Sequence, residues 1–165
     1  MSESEGGDTN QNRNDSAASE VRTGRYRLLL ADDNPEILRQ AADLLSRHFD
    51  IIGAAVDGSA LLELAAKTRP DVVVADVYMP CITGFDSCLR ILQDGFCDSV
   101  ILLSMYSNPD LVQDAMRSGV RGYVLKEDAG EELCQAVETA MAGGVYLSAG
   151  ARRILSGAES RSRNR

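Results

Sequence analysis

The chain has 165 residues, 44% of them hydrophobic, and 25 acidic against 17 basic side chains for a net charge of −8. That length suits one domain with a core of its own, and the acidic balance argues against nucleic-acid binding by these residues alone, because neutralising phosphates needs a basic face. Neither a signal-peptide pattern nor a run approaching a membrane span is visible, so a cytoplasmic protein with no membrane partner is expected.

Residues 2–25 are rich in Ser, Glu, Gly, Asn and Asp, with Val21 their one large aliphatic. Such a segment buries too little surface to offset its ordering entropy, and a disordered tail is expected over residues 1–24. From residue 26 onward, strand signals alternate with helix signals. Residues 26–31, apolar from Leu28 onward, read as a first strand. Asn34-Pro35 then supplies an N-cap and a proline at the first helical turn, followed by a stripe of Ile37, Leu38, Ala41, Ala42, Leu44 and Leu45. Residues 51–56 form a second strand, and Asp57-Gly58 opens a helix through Leu61, Leu62, Leu64 and Ala65 that closes at Arg69-Pro70. Residues 72–76 are the third strand. A loop from Met79-Pro80 to Gly84 leads into a helix marked by Phe85, Leu89, Ile91 and Leu92.

Residues 99–104 are the fourth strand, and Asn108-Pro109 repeats the cap-and-proline device before Leu111, Val112, Ala115 and Met116. Ser118-Gly119 ends that helix, residues 122–126 form the fifth strand, and a last helix over 131–141 stops at Gly143-Gly144. Residues 148–165, Ser/Gly/Arg-rich, read as a linker-like tail after a folded unit spanning 25–147. Five βα units with apolar strands and right-handed crossovers fit a doubly wound, flavodoxin-like parallel sheet of order 2-1-3-4-5 with helices on both faces.

Cys81, Cys88, Cys97 and Cys134 lack C-x-x-C spacing and a nearby histidine cluster, which fits reduced thiols rather than a metal site or disulfide framework. His48, the one histidine, has no partner for triad chemistry.

The chemistry lies at the strand ends. Asp32-Asp33, Asp76, Ser104 and Lys126 each end an apolar run, and in open α/β sheets ligands bind outside the carboxyl ends of the strands. Three carboxylates within about 4–5 Å of one another would repel by several kcal/mol per pair at an effective dielectric near 20. Protonation, the Lys126 ammonium or a bound divalent cation must offset that. Oxygen ligands with open positions suit Mg²⁺, which keeps waters and pairs with phosphate. On a rigid central strand, Asp76 is the natural nucleophile for an acyl phosphate. Ser104 could donate to a phosphoryl oxygen, and Lys126 could pair with another.

These residues resemble the receiver domain of bacterial two-component response regulators. The resemblance rests on Ala31-Asp32-Asp33-Asn34, Asp76 through Met79-Pro80 with Gly84, Ser104, Tyr123 and Lys126, and covers residues 26–147. The stretches 121–126 and 143–148 resemble the NarL/FixJ subfamily in particular. The resemblance implies a CheY-like fold and a phosphoryl group accepted on Asp76 from a sensor histidine kinase or a small donor. It implies that Asp33, Asp76 and the Tyr78 carbonyl ligate Mg²⁺, with Asp32 acting through a metal-bound water. It also implies that Ser104 and Lys126 hold the phosphoryl oxygens and that Ser104 and Tyr123 form a switch pair reshaping the fourth helix, fifth strand and fifth helix. Phosphorylation-dependent homodimerisation and DNA binding through an output domain absent from this chain follow from the same likeness.

Two departures bear on this reading. Glu127 stands where many receivers have proline, so a trans bond is expected after Lys126, a cis one costing about 2.5–4 kcal/mol without proline. Tyr78 and Tyr106, each two residues beyond a site residue, would with Met105 narrow access for water and lengthen the life of the phosphoryl group. The rival readings are a turnover phosphatase, a flavin binder and a phosphorylation-independent interaction module. Tyr78 stands where a haloacid-dehalogenase-type phosphatase has its acid–base Asp, and Asp32-Asp33 would repel a flavin phosphate, so no turnover enzyme is expected.

Overall fold

A computed structural model of the chain describes residues 24–106 and 108–165. The tail expected over 1–24 therefore falls outside the described residues, apart from Gly24. The elements run β1 (Arg27–Ala31), α1 (Pro35–Leu45), β2 (Asp50–Ala55), α2 (Gly58–Thr68), β3 (Val72–Asp76), α3 (Gly84–Gln93), β4 (Val100–Ser104), α4 (Pro109–Arg117) and β5 (Gly122–Leu125). A 3₁₀ turn (Lys126–Asp128), α5 (Ala129–Met141), β6 (Tyr146–Leu147) and α6 (Ala149–Arg163) complete the chain.

Local chemistry accounts for the boundaries. The Asn34 side chain accepts the N–H groups of Glu36 and Ile37 ahead of Pro35, and Asn108 accepts that of Asp110 ahead of Pro109. Arg69, barred from helical geometry by Pro70, turns left-handed at φ 43° and closes α2.

The sheet is parallel throughout, in the order β2-β1-β3-β4-β5-β6. The expected 2-1-3-4-5 order is present, with a sixth strand added at the β5 edge. β6 pairs Tyr146 with Gly122 and Leu147 with Tyr123. Two residues carry no legible period, which is why the sequence shows no strand there.

The strands of the sheet centre are buried on both faces, as their unbroken apolar runs require. Leu28, Leu30, Val72, Val74, Ile101 and Val124 meet α1 and α5 on one side. Leu29, Val73, Ala75, Leu102 and Tyr123 meet α2, α3, α4 and α6 on the other.

Residues 148–165 correct the linker-like reading. Ser148 caps α6 by accepting the Ala151 N–H, Ala151 is wholly buried, and α6 packs on α4 and β5. The folded unit therefore continues past residue 147. Gly150, Gly157 and the serines hide this helix from a propensity reading, because what holds it comes from distant residues. Among the described residues no helix is long and apolar enough to cross a membrane.

Candidate functional site

Register brings the site together. Ala31 pairs with Ala75, so Asp32 and Asp76 leave neighbouring strands side by side at the point where the chain winds to opposite sides of the sheet. Ser104 pairs with Leu125, which puts Lys126 one residue beyond it. The start of α3 closes against this end: a Cβ on Gly84 would collide with the Asp76 carbonyl oxygen, so only glycine lets the helix begin there.

Asp32 and Asp76 are buried, and Asp33 is exposed. One carboxylate oxygen from each of the three lies within 4.8 Å of the other two. The Lys126 ammonium bridges two of them, donating to Asp76 Oδ2 at 3.0 Å and lying 2.7 Å from Asp32 Oδ2. Asp32 Oδ1 accepts the Asn34 N–H at 2.9 Å, and Asp76 Oδ1 accepts the Tyr78 N–H at 3.3 Å. Asp32 Oδ2 is buried and, despite the nearby ammonium, receives no aligned hydrogen bond among the described residues. One ammonium thus serves two carboxylates, while the third, that of Asp33, lies within 4.8 Å of both.

Burial pushes the Asp76 carboxyl above its usual range, the Lys126 hydrogen bond and charge pulling it back and the Asp32 charge adding to the rise. Burial works to lower the Lys126 ammonium, but its close contacts with the Asp32 and Asp76 carboxylates outweigh that and hold it above its ordinary value. Three carboxylates brought within 4.8 Å of one another, with one ammonium paired to two of them, fit a small hard cation with oxygen ligands. The donor set therefore suits Mg²⁺.

Ser104 is fully buried, and its Oγ accepts the Tyr106 N–H at 3.0 Å, so the hydroxyl is turned back into its own loop. Tyr78 and Tyr106 meet edge to face above the carboxylates, with ring centroids 5.2 Å apart. With Met105, which is 73% exposed, they rim a cleft of about 330 Å³ whose floor includes Asp76 and Lys126. Tyr123 lies wholly inside the protein, beneath the face that α6 covers, and its hydroxyl has no hydrogen-bond partner among the described residues. The ring of the expected switch pair thus already lies inside, and β5 is interior to the sheet, flanked by β4 and β6. Every described peptide bond is trans, that between Lys126 and Glu127 included. Asp128 and Glu132, which grip α6, had no signal in the sequence because their partners are backbone groups distant in the chain.

The family model of the response regulator receiver domain matches residues 28–138. The chain belongs to that family. Among curated relatives, this receiver is 30% identical over 135 residues to the transcriptional regulatory protein MctR of Rhizobium johnstonii, a match covering 81% of this chain and 63% of that protein. It is 30% identical over 123 residues to the nitrate/nitrite response regulator NarL of Escherichia coli K12, covering 73% and 57%. The chain thus spans about three fifths of the length of the curated relatives it matches. Among solved structures, a LuxR-family response regulator from Aurantimonas superposes with a TM-score of 0.77 at 26% identity, covering 83% of this chain and 99% of that one. The isolated receiver domain of Salmonella RcsB, prepared with a phosphomimetic, superposes with a TM-score of 0.74 at 24% identity, covering 80% and 99%, a likeness of fold. The resemblance to the NarL/FixJ subfamily, the flavodoxin-like architecture and the receiver assignment are thereby borne out. Receivers of this family bind Mg²⁺ through an acidic cluster, and Asp32, Asp33 and Asp76 form such a cluster here.

Proposed function

We propose that Asp76 accepts a phosphoryl group from the phosphohistidine of a sensor kinase, or from a small acyl phosphate, and that the phosphorylated state redirects an output. A new bond joins an Asp76 carboxylate oxygen to phosphorus while the P–N bond of the donor breaks, and the imidazole leaves with the electron pair. The observation carrying this reading is the convergence of Asp76 and Asp32 on one ammonium, Lys126, at 3.0 and 2.7 Å, beside the fully buried hydroxyl of Ser104. Lys126 can exchange a carboxylate for a phosphoryl oxygen without losing its charge pairing. Ser104 can turn its hydroxyl from the Tyr106 carbonyl oxygen, to which it now donates, toward a phosphoryl oxygen.

Asp33, Asp76 and the Tyr78 carbonyl are the proposed Mg²⁺ ligands, with Asp32 reaching the ion through water. When bound, the ion supplies positive charge for phosphoryl oxygens and relieves the carboxylate repulsion. Tyr78, Met105 and Tyr106 stand over the cleft and restrict an in-line water, so we assign them control of the acyl phosphate's lifetime. Ser104 and Tyr123 are the proposed switch pair, reporting to the surface of α4, β5 and α5. Tyr78 occupies the place of an acid–base group, which favours a single transfer over turnover. The relatives named as transcriptional regulators support transcription as the output, through a DNA-binding domain outside these 165 residues and with phosphorylation-dependent pairing of receivers.

Intact mass after incubation with acetyl phosphate and Mg²⁺ tests this. One phosphoryl mass is expected, absent in Asp76→Asn and without the metal. No adduct under conditions that label a control receiver would replace the reading with a phosphorylation-independent interaction module.

A further inference from the structure

The first turn of α6 is held by its own N-cap and by the corner between β5 and α5. The N–H of Ala149 donates to both Glu132 oxygens, at 3.1 and 3.2 Å, and that of Gly150 donates to Asp128 Oδ2 at 2.9 Å. Ser148, fully buried, accepts the Ala151 N–H on its Oγ. The same oxygen accepts the Leu125 N–H at 3.1 Å, and the Ser148 N–H donates to the Tyr123 carbonyl at 3.0 Å. Tyr146, just ahead, donates its hydroxyl to Glu132 at 2.7 Å. Ordinarily the first N–H groups of a helix lack intrahelical partners; here the β5–α5 corner supplies them.

Two of these gripping residues, Leu125 and Asp128, flank Lys126, the cation of the acidic cleft. The contact has no slack. A single Cβ on Gly150 would sit 2.5 Å from Leu125 Cδ1 and 2.8 Å from Asp128 Oδ2. Any displacement of the 125–128 backbone must therefore move the start of α6 or break its bonds. The helix has little to hold it otherwise. It contains two glycines, and beyond Ala151 its apolar contacts with the core are the partly buried Ile154 and Leu155. Even at 15 residues, a helix of such propensity is marginal in isolation without its caps.

We propose that α6 is a latch over the α4–β5 face, released from the acidic cleft through Lys126, Leu125 and Asp128. This rests on the acceptor reading above. A phosphoryl group on Asp76 brings a charge of about −2 and three acceptor oxygens into the cleft. The ammonium that now bridges Asp32 and Asp76 reorients toward it, the 125–128 backbone follows, and the Ser148, Asp128 and Glu132 bonds to α6 are lost together. The helix then gives up the surface of α4 and β5 that it covers.

Hydrogen exchange on the full chain, read by mass, tests the latch. Peptides spanning 148–158 are compared with peptides of β1, while intact mass of the same sample counts phosphoryl groups. With acetyl phosphate and Mg²⁺, α6 amides should exchange about tenfold faster while β1 is unchanged, the mark of a local opening. Ser148→Ala and Asp128→Asn should release α6 without any phosphoryl group and remove its further response. A full adduct with α6 protection unchanged overturns the latch and leaves the acceptor role standing. Without an adduct the acceptor reading fails, and Lys126→Met decides separately: faster exchange in α6 relative to β1 supports the coupling, and unchanged relative exchange overturns it.

Discussion

Replacing Lys126 with methionine keeps the stem of the side chain and removes the charge that Asp32 and Asp76 share. At 2.7 and 3.0 Å, each attraction is about 5–6 kcal/mol at an effective dielectric near 20. Desolvation of the three groups cancels much of that, and removing one member of a buried pair generally costs about 3–5 kcal/mol. A second route limits the loss. A carboxylate deprived of the ammonium can take up a proton, at about 1.4 kcal/mol per pH unit above an ordinary value near 3.9. That route caps the penalty per carboxylate at roughly 4 kcal/mol at pH 7 and roughly 1.5 at pH 5. The expected destabilisation is therefore about 3 kcal/mol at pH 7, shrinking towards about 1 at pH 5 as protonation takes over. Mg²⁺ should restore part of the loss at pH 7 by replacing the missing charge. Urea unfolding of both proteins, in chelator and in millimolar Mg²⁺ at the two pH values, reads these differences directly. A loss that does not depend on pH, or one below about 0.5 kcal/mol at pH 7, would show that the cleft is too wet for the charge balance argued here.

Three other outcomes are expected. Burial holds the Asp76 carboxyl above its usual range, so the folded state binds this proton more tightly than the unfolded one. The ionised group costs stability above its unfolded value and nothing well below it. Without Mg²⁺, Asp76→Asn should accordingly raise stability at pH 7 by about 1 kcal/mol and not at pH 3, as thermal unfolding at both pH values would reveal. Tyr123→Phe removes a buried hydroxyl that has no partner among the described residues, so stability should be unchanged or higher by up to about 1 kcal/mol; a loss above that in urea would mean the hydroxyl is paired. Tyr106→Ala opens the rim of the cleft and should speed loss of the phosphoryl group several-fold after the donor is removed, with an unchanged decay rate counting against the rim as a barrier to water.

The sheet and the cleft were legible for one reason. In a parallel sheet covered on both faces, strands are plain apolar runs, and the residue that ends each run must sit at the ligand-binding edge. Asp32, Asp76, Ser104 and Lys126 follow from that rule. What the sequence concealed depends on contacts between distant segments. The two residues of β6 are too few for a pattern. The helix α6 looks like a linker because Gly150 and Gly157 weaken its propensity, while Asp128, Glu132 and Ser148 supply what it lacks. The inward ring of Tyr123 and the looped-back hydroxyl of Ser104 are choices of rotamer and loop path, which no period encodes.

The order in which the cleft receives its charges has a consequence for synthesis. The carboxylates belong to β1 and β3, whereas their cation stands beyond β5, and no pair of neighbouring strands is a hairpin. A chain emerging from the ribosome holds both buried acids long before Lys126 is available. The unfinished sheet therefore carries an uncompensated repulsion at its most central strands, which disfavours premature closure. Parallel pairing is slow to form in any case, because every contact spans a crossover. A fragment ending before β5 carries both buried acids without the ammonium that pairs with them in the finished sheet.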